Sequence, residues 1–344
     1  MPDMRVLVLT NMLPSPDHPH FGIFVARRIA SYRSLGVEVD VVANTDRTKG
    51  TARVIAKYVR LLVGAVAVSV RRRPNIIEAH YLYPTAIVAA VVGLLARRPI
   101  VLVAHGSDVD LDHHGVVATV MKWAVRRSSR VVANSPATAA TVLSTYPGSD
   151  VVVIPPGVVT SAAVDKHLTG PPVVGFVGSL ADHKGPDVLL EALPLLPDDC
   201  RVRIVGEGPL GDSLEQRAAT LEVADRVEFI DRVPPGELSS FYRAIDVLAV
   251  PSRREGFGLV AAEALASGTP VVVSDVGGLP TIPTDDCGTV VPPDDPPKLA
   301  VAISAWLERR GDESVSEACR RRASEFDELV LARQAFAVLE SVTK

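Results

Sequence analysis

Two carboxylates stand eight residues apart in the stretch PSRREGFGLVAAEALASG, residues 251–268. Glu255 precedes a small glycine turn, Gly256-Phe257-Gly258, and Glu263 lies in an Ala-rich helical run that begins at Leu259. A short apolar strand pattern, residues 247–250, leads into them. A strand that ends in a glycine turn and opens a helix gathers free backbone N–H groups and the positive helix end at one spot. That arrangement suits an anion, most often phosphate. Carboxylates accept hydrogen bonds from hydroxyls, so the stretch reads as a phosphate seat between two hydroxyl-binding acids. A sugar nucleotide carries that distribution of groups.

Other loops offer matching chemistry. The run Gly178-Ser179-Leu180-Ala181-Asp182-His183-Lys184-Gly185 follows a strand pattern and ends in a lysine and a glycine at a helix start. It suits a phosphate oxygen. Gly206-Glu207-Gly208-Pro209 lacks the third glycine of a dinucleotide fingerprint, so NAD is not expected. Asp275-Val276-Gly277-Gly278 is a further glycine turn. In the first half, the loop NMLPSPDHPHFG ends in Gly22 at a helix start, which could face a phosphate or simply close a surface loop. His105 stands just past a strand end and before a glycine, placed to bond a substrate hydroxyl or phosphate. His80 ends the preceding strand in a similar way and reads mainly as structural. Asp108, Asp110 and Asp112 fit an exposed acidic loop, and no metal site is predicted.

The elements that must position these loops alternate along the chain. Strand patterns cover residues 5–10, 37–43, 76–79, 100–104, 131–133 and 151–154, with helix-length segments such as 22–35 and 84–97 between them. Such alternation implies a parallel, doubly wound sheet. A break falls at Pro155-Pro156-Gly157 and the polar segment 160–172, and the pattern restarts at 173–177, 201–205, 227–230, 246–250 and 270–274. The expected fold class is α/β, with two Rossmann-like doubly wound domains over residues 1–165 and 170–325 facing a central cleft. Ligands of such sheets bind at the carboxyl ends of the strands. After Pro296 the chain reads as helices, and the last, over residues 326–342, could return to the first domain.

Length and composition agree with this plan. A chain of 344 residues suits two domains, and 47% hydrophobic with 22% charged residues allows a sizeable core and excludes general disorder. Three widely spaced cysteines, without C-x-x-C spacing, form neither a disulfide frame nor a zinc site and suggest a reducing, cytoplasmic compartment. The opening MPDMRVLVLT runs straight into a strand pattern, so no secretory leader is expected. Two apolar stretches, 61–70 and 83–96, fall below the ~20 residues that span a bilayer and read as buried helices. Residues 1–165 hold 18 Lys and Arg against 11 Asp and Glu, whereas the remainder holds 18 against 29. A basic half beside an acidic half suits different partners, or two solvated surfaces without functional meaning.

The segments VGSLADHKG (177–185), VGEGP (205–209) and SRREGFGLVAAEALASGTPVV (252–272) resemble the nucleotide-sugar domain of the retaining glycosyltransferases of family 4. The last matches that family's E-x7-E signature through Glu255 and Glu263. HFGIFV, HGSDV and VIPPGV add weaker matches in the first half, and the part after Pro296 matches loosely. The resemblance implies the GT-B fold and no tightly bound cofactor or metal. It implies retaining transfer of a hexose-type sugar from a UDP- or GDP-linked donor to a hydroxyl acceptor. His105, Lys184 and Glu255 would be the catalytic residues. Glu255 would contact hydroxyls of the donor sugar and Glu263 the ribose, while Lys184 and the backbone of Gly256, Phe257, Gly258 and Leu259 hold the diphosphate. His105 would lie beside the sugar, Gly22 near the phosphates, and Arg232-Val233 at the base. Ser179 stands in the donor site where the family usually has an arginine, and Arg253 or Arg254 could compensate. The acceptor would be a glycan, lipid-linked or cell-envelope precursor, not nucleic acid. Arg27, Arg28, Arg33, Arg71, Arg72, Arg73, Lys122, Arg126 and Arg127 could meet anionic lipid at the inner face of a membrane. A sugar-nucleotide epimerase or a non-catalytic nucleotide-sugar-binding protein is the alternative.

Overall fold

The computed structural model describes residues 4–15, 21–45, 51–109, 115–160, 168, 170–234 and 236–343. The chain divides into two compact units, Met1–Gly157 with Glu328–Lys344, and Val158–Asp327.

Among the described residues of the first unit, six strands alternate with five helices. In chain order these are β1 (Arg5–Thr10), α1 (Ile23–Ser34), β2 (Glu38–Ala43), α2 (Thr51–Arg72), β3 (Ile76–His80) and α3 (Thr85–Ala96). They continue with β4 (Ile100–Ala104), α4 (Gly115–Arg126), β5 (Arg130–Ala133), α5 (Pro136–Thr145) and β6 (Val151–Val153). The strands pair in parallel in the order β2-β1-β3-β4-β5-β6. Because helices cover both faces, the central strands β3 and β4 are buried at every residue and read as continuous apolar runs instead of alternating ones. Leu7, Leu9, Ile77, Leu102 and Met121 are all at most 2% exposed in this core. Each contributes roughly 1.5–3 kcal/mol by leaving water.

The 61–70 stretch departs from its expectation. It belongs to the 22-residue α2, which buries Leu61 and Ala65 but leaves Val63 and Val70 63% and 71% exposed. Hydrophobicity summed along a stretch does not distinguish two faces of a helix; the 3.6-residue period does.

The second unit repeats the plan with β7 (Val173–Val177), α6 (Pro186–Ala192), β8 (Arg201–Val205), α7 (Gly211–Thr220), β9 (Val227–Ile230) and α8 (Leu238–Arg243). It continues with β10 (Val247–Val250), α9 (Leu259–Ala266), β11 (Val271–Ser274), β12 (Gly288–Val291), α10 (Pro296–Glu308) and α11 (Glu313–Ser324). All pairings are parallel, in the order β12-β11-β10-β7-β8-β9. Edge strand β12, GTVV, was not foreseen, being four residues long and preceded by the polar Thr284-Asp285-Asp286. The final helix, α12 (Glu328–Ser341), packs on α1 in the first unit.

Each sheet reverses its strand order once, at β1/β3 in the first and β7/β10 in the second. Neighbouring strands there send their following loops to opposite sides, which opens a crevice beyond their carboxyl ends.

Candidate functional site

At the β7/β10 reversal the two loops meet through their side chains. Lys184 Nζ donates to Glu255 Oε2 at 2.6 Å, with the two side chains 25% and 14% exposed. Below this pair the backbone is unpaired: among the described residues, no N–H from Glu255 to Val260 donates to a protein group. Gly258 caps α9 with φ of 102°, a left-handed conformation that favours glycine. The turn thus presents a row of free donors at a helix start, an anion seat of the kind the sequence implies. The loop after β11 presses on the same spot: a Cβ on Gly277, at φ +56°, would stand 1.7 Å from the Glu255 carbonyl oxygen. Only glycine lets these loops close. Phe257 offers its backbone alone to this turn, since its ring is 3% exposed and packs edge-on against Phe326 at 5.5 Å.

Glu263 lies one helical stretch further on, part-buried, and accepts from the buried Tyr242 hydroxyl at 3.2 Å. It is therefore more than a surface acid. Arg232 pairs with Glu207 at 3.0 Å on the surface, and Val233 beside it is half-buried. Ser179 is exposed just past β7. Arg253 is not available to replace the arginine missing there. Its guanidinium donates to both Asp187 oxygens at 3.0 and 2.7 Å, to Asp294 at 2.7 Å and to the Asp182 carbonyl at 2.6 Å. These contacts raise its pKa further, through the Asp187 hydrogen bonds first. Asp187 in turn is pushed up by burial and, more strongly, down by Arg253, ending below the usual carboxylate range. Arg254 is exposed, and its guanidinium makes no hydrogen bond or ion pair among the described residues.

The first unit's rim carries His105 and Gly22. Gly22 caps α1 at φ 72° beside Met12, while residues 16–20 of its loop lie outside the described residues. His105 is held from several sides. Its N–H donates to Asp108 Oδ1 at 2.8 Å and its carbonyl accepts from Asn134 at 2.9 Å. Tyr81 stacks on its ring at 4.7 Å and Phe24 lies tilted at 4.8 Å. Its Nε2 is 3.2 Å from His80 Nδ1. His80 Nε2 stands 3.0 Å from Glu78 Oε1, a bent contact off the line of the N–H. Glu78 Oε2 accepts from the Tyr32 hydroxyl at 2.9 Å, and Oε1 lies 3.6 Å from Arg28. Burial pushes Glu78 up, but Arg28, His80 and Tyr32 outweigh it and hold the carboxyl low. Burial lowers His80 and, with His80 and the Arg28 charge nearby, lowers His105 well below the usual histidine value.

Two expectations are corrected here. Asp108 is not an exposed loop acid: it is 3% exposed and also accepts from the Leu82 N–H at 2.6 Å, so it ties two strand-end loops together. Burial outweighs four opposing backbone hydrogen bonds and pushes its pKa up to about 6. Asp110 and Asp112 lie outside the described residues. Arg28, expected to meet lipid, is turned inward, 14% exposed and facing Glu78. Glu78, Tyr32 and Tyr242 were missed. A carboxylate in the apolar run Ile76–His80 was the available signal, since a charge there must find a partner. Among the described residues no group of three His, Cys, Asp or Glu side chains could hold a metal ion.

The chain is similar to known glycosyltransferases. The family model "Glycosyltransferase Family 4" matches residues 22–162, and "Glycosyl transferases group 1" matches residues 161–326. A D-inositol 3-phosphate glycosyltransferase of Corynebacterium glutamicum is 40% identical over 193 residues, covering 50% of this chain and 46% of that protein. Its namesake in Geodermatophilus obscurus is 39% identical over 246 residues, 62% of this chain and 54% of that protein. The chain thus spans about half the length of these curated relatives. Among solved structures, Anabaena HepE in complex with UDP aligns over 98% of this chain and all of its own, with TM-score 0.76 and 22% identity. That likeness gives the GT-B fold.

Proposed function

The chain belongs to glycosyltransferase family 4, and on that premise we propose that it moves a hexose from a nucleoside-diphosphate sugar to an acceptor hydroxyl, retaining the anomeric configuration. The observation that carries this reading is the Lys184–Glu255 pair above the unpaired N–H groups of residues 255–260. In the proposed mechanism the diphosphate takes those N–H groups and the Lys184 ammonium, which together stabilise the charge that grows on it as the sugar departs. Glu255, released from Lys184, accepts from sugar hydroxyls and positions the ring; it does not attack it. Glu263 takes the ribose and Arg232-Val233 the base. Arg254 supplies the charge that Ser179 cannot.

UDP is the favoured nucleotide over GDP, supported by the HepE structures, which hold UDP and UDP with glucose. The acceptor we propose bears phosphate. The curated relatives are named for D-inositol 3-phosphate, a phosphorylated polyol, and the excess of Lys and Arg in residues 1–165 suits an anionic partner. Incubation with UDP- and GDP-sugars, with and without inositol phosphate, tests the proposal. Acceptor-dependent release of the nucleotide supports it. An epimerised donor without transfer, or binding without turnover, contradicts it.

We also propose peripheral contact with an anionic membrane through α2. No helix among the described residues is long and apolar enough to cross a bilayer. However, Ile55, Val59, Val63 and Val70 share one face of α2 and are 60, 52, 63 and 71% exposed. Arg53 and Arg60 lie along the same helix and Arg71, Arg72 and Arg73 at its end. Apolar side chains flanked by cations are the pattern of an interfacial helix.

A further inference from the structure

We infer that Glu78 and His80 are positioning residues that hold His105 in its Nε2–H tautomer, so that His105 Nδ1 presents a lone pair and takes a hydroxyl, not a phosphate oxygen. The inference follows the polar contacts outward from the core. Glu78 is 1% exposed, faces Arg28 and accepts from the Tyr32 hydroxyl, so it is ionised and can only accept. The His80 nitrogen 3.0 Å from its Oε1 is Nε2, and a bare lone pair there would face a carboxylate. His80 Nε2 therefore carries the proton. Burial and the nearby Arg28 charge keep His80 to a single proton, which leaves its Nδ1 bare. The next atom, 3.2 Å away, is His105 Nε2, and it must donate into that lone pair. One proton on His105 then leaves Nδ1 as an acceptor, and among the described residues it has no partner. Turning the ring over would set Cε1 in place of Nε2 against His80 Nδ1 and lose that contact, while Tyr81 and Phe24 pack against the ring.

The consequence is chemical selection. A phosphate oxygen at neutral pH carries no proton to give, whereas a sugar hydroxyl does. The sequence alone allowed either ligand at His105; the relay selects the hydroxyl. The inference does not depend on the function proposed above.

Imidazole nitrogen shifts, read by NMR on the histidine-labelled full chain, test the inference, with His105→Asn to assign the signal. In the wild type the His105 proton should sit on Nε2; finding it on Nδ1 overturns the proposal. Glu78→Gln is nearly isosteric and should invert the relay. A Gln carbonyl at the Oε2 position would keep the Tyr32 donor, and its amide at the Oε1 position would donate to His80 Nε2, at the loss of the longer Arg28 contact. The His80 proton would move to Nδ1 and the His105 proton to Nδ1. A folded Glu78→Gln protein in which the His80 proton moves to Nδ1 while His105 keeps its own on Nε2 also overturns the proposal. Should that variant not fold, the wild-type tautomer still decides. Adding glucose should shift His105 Nδ1 while inorganic phosphate should not; an equal shift with phosphate overturns the hydroxyl assignment. No response to glucose, with the proton on Nε2, overturns the hydroxyl assignment and leaves the tautomer relay standing.

Discussion

Lys184 and Glu255 meet at 2.6 Å although 71 residues separate them, because β7 and β10 are neighbours in the sheet but not in the sequence. Each loop leaves the carboxyl end of its strand at the reversal of strand order, so a cation from one and a carboxylate from the other share one crevice. The pair neutralises itself while the seat is free. An arriving diphosphate would compete for the ammonium and release the carboxylate to sugar hydroxyls.

Lys184→Ala should therefore lower kcat by about 100- to 1,000-fold, the range for removing one preorganised donor to a growing negative charge. Steady-state kinetics with a UDP-hexose would measure it. Circular dichroism should stay native, because the lysine is part-exposed and its ammonium hydrogen-bonds Glu255 alone among the described residues.

The two adjacent arginines should behave oppositely. Arg253→Ala removes the bidentate contact with Asp187 and should destabilise the fold by about 1–3 kcal/mol at neutral pH in urea unfolding. Asp187 has a depressed folded pKa, so this stabilisation is present above the unfolded value of about 3.9 and is lost as pH falls through the folded one. The difference between wild type and variant should shrink in acid. Arg254→Ala should leave stability within about 0.5 kcal/mol. It should weaken UDP binding several-fold in calorimetry; unchanged affinity would remove Arg254 from the donor site.

Asp108 should give the opposite pH signature. Its folded pKa of about 6 lies above the unfolded value of about 3.9, so the folded state binds the extra proton. Stability from this group is fully present below the unfolded pKa and is lost as pH rises through about 6. The advantage of wild type over Asp108→Asn should fall by about 2 kcal/mol between about pH 4.5 and about pH 7.5. Denaturant melts at both pH values would reveal it.

On α2, Val63→Glu together with Ile55→Glu should abolish flotation with anionic vesicles while changing stability little, since both side chains are more than half exposed. Flotation of the variant equal to wild type would remove the helix from the proposed contact.

The parallel sheets were legible in the sequence because strands buried on both faces read as unbroken apolar runs, as in residues 5–10, 100–104 and 247–250. The glycine turn at Gly256-Phe257-Gly258 was legible for a local reason, since a strand, a turn and a helix in series define an anion seat. What escaped depends on contacts distant in sequence. Arg253 looked free because Asp187 is 66 residues away, and Arg28 looked exposed because its partner Glu78 lies on another element. Asp108 looked like a loop acid because nothing local shows that the N–H groups of Leu82 and His105 converge on it.

The most direct test is the anomeric configuration of the product formed from UDP-glucose and a phosphorylated polyol acceptor, read by proton NMR before the product can equilibrate. The account predicts an α-linked product from the α-linked donor, with no sugar trapped on Glu255. A β-linked product, or a covalent glycosyl–Glu255 adduct, would contradict it.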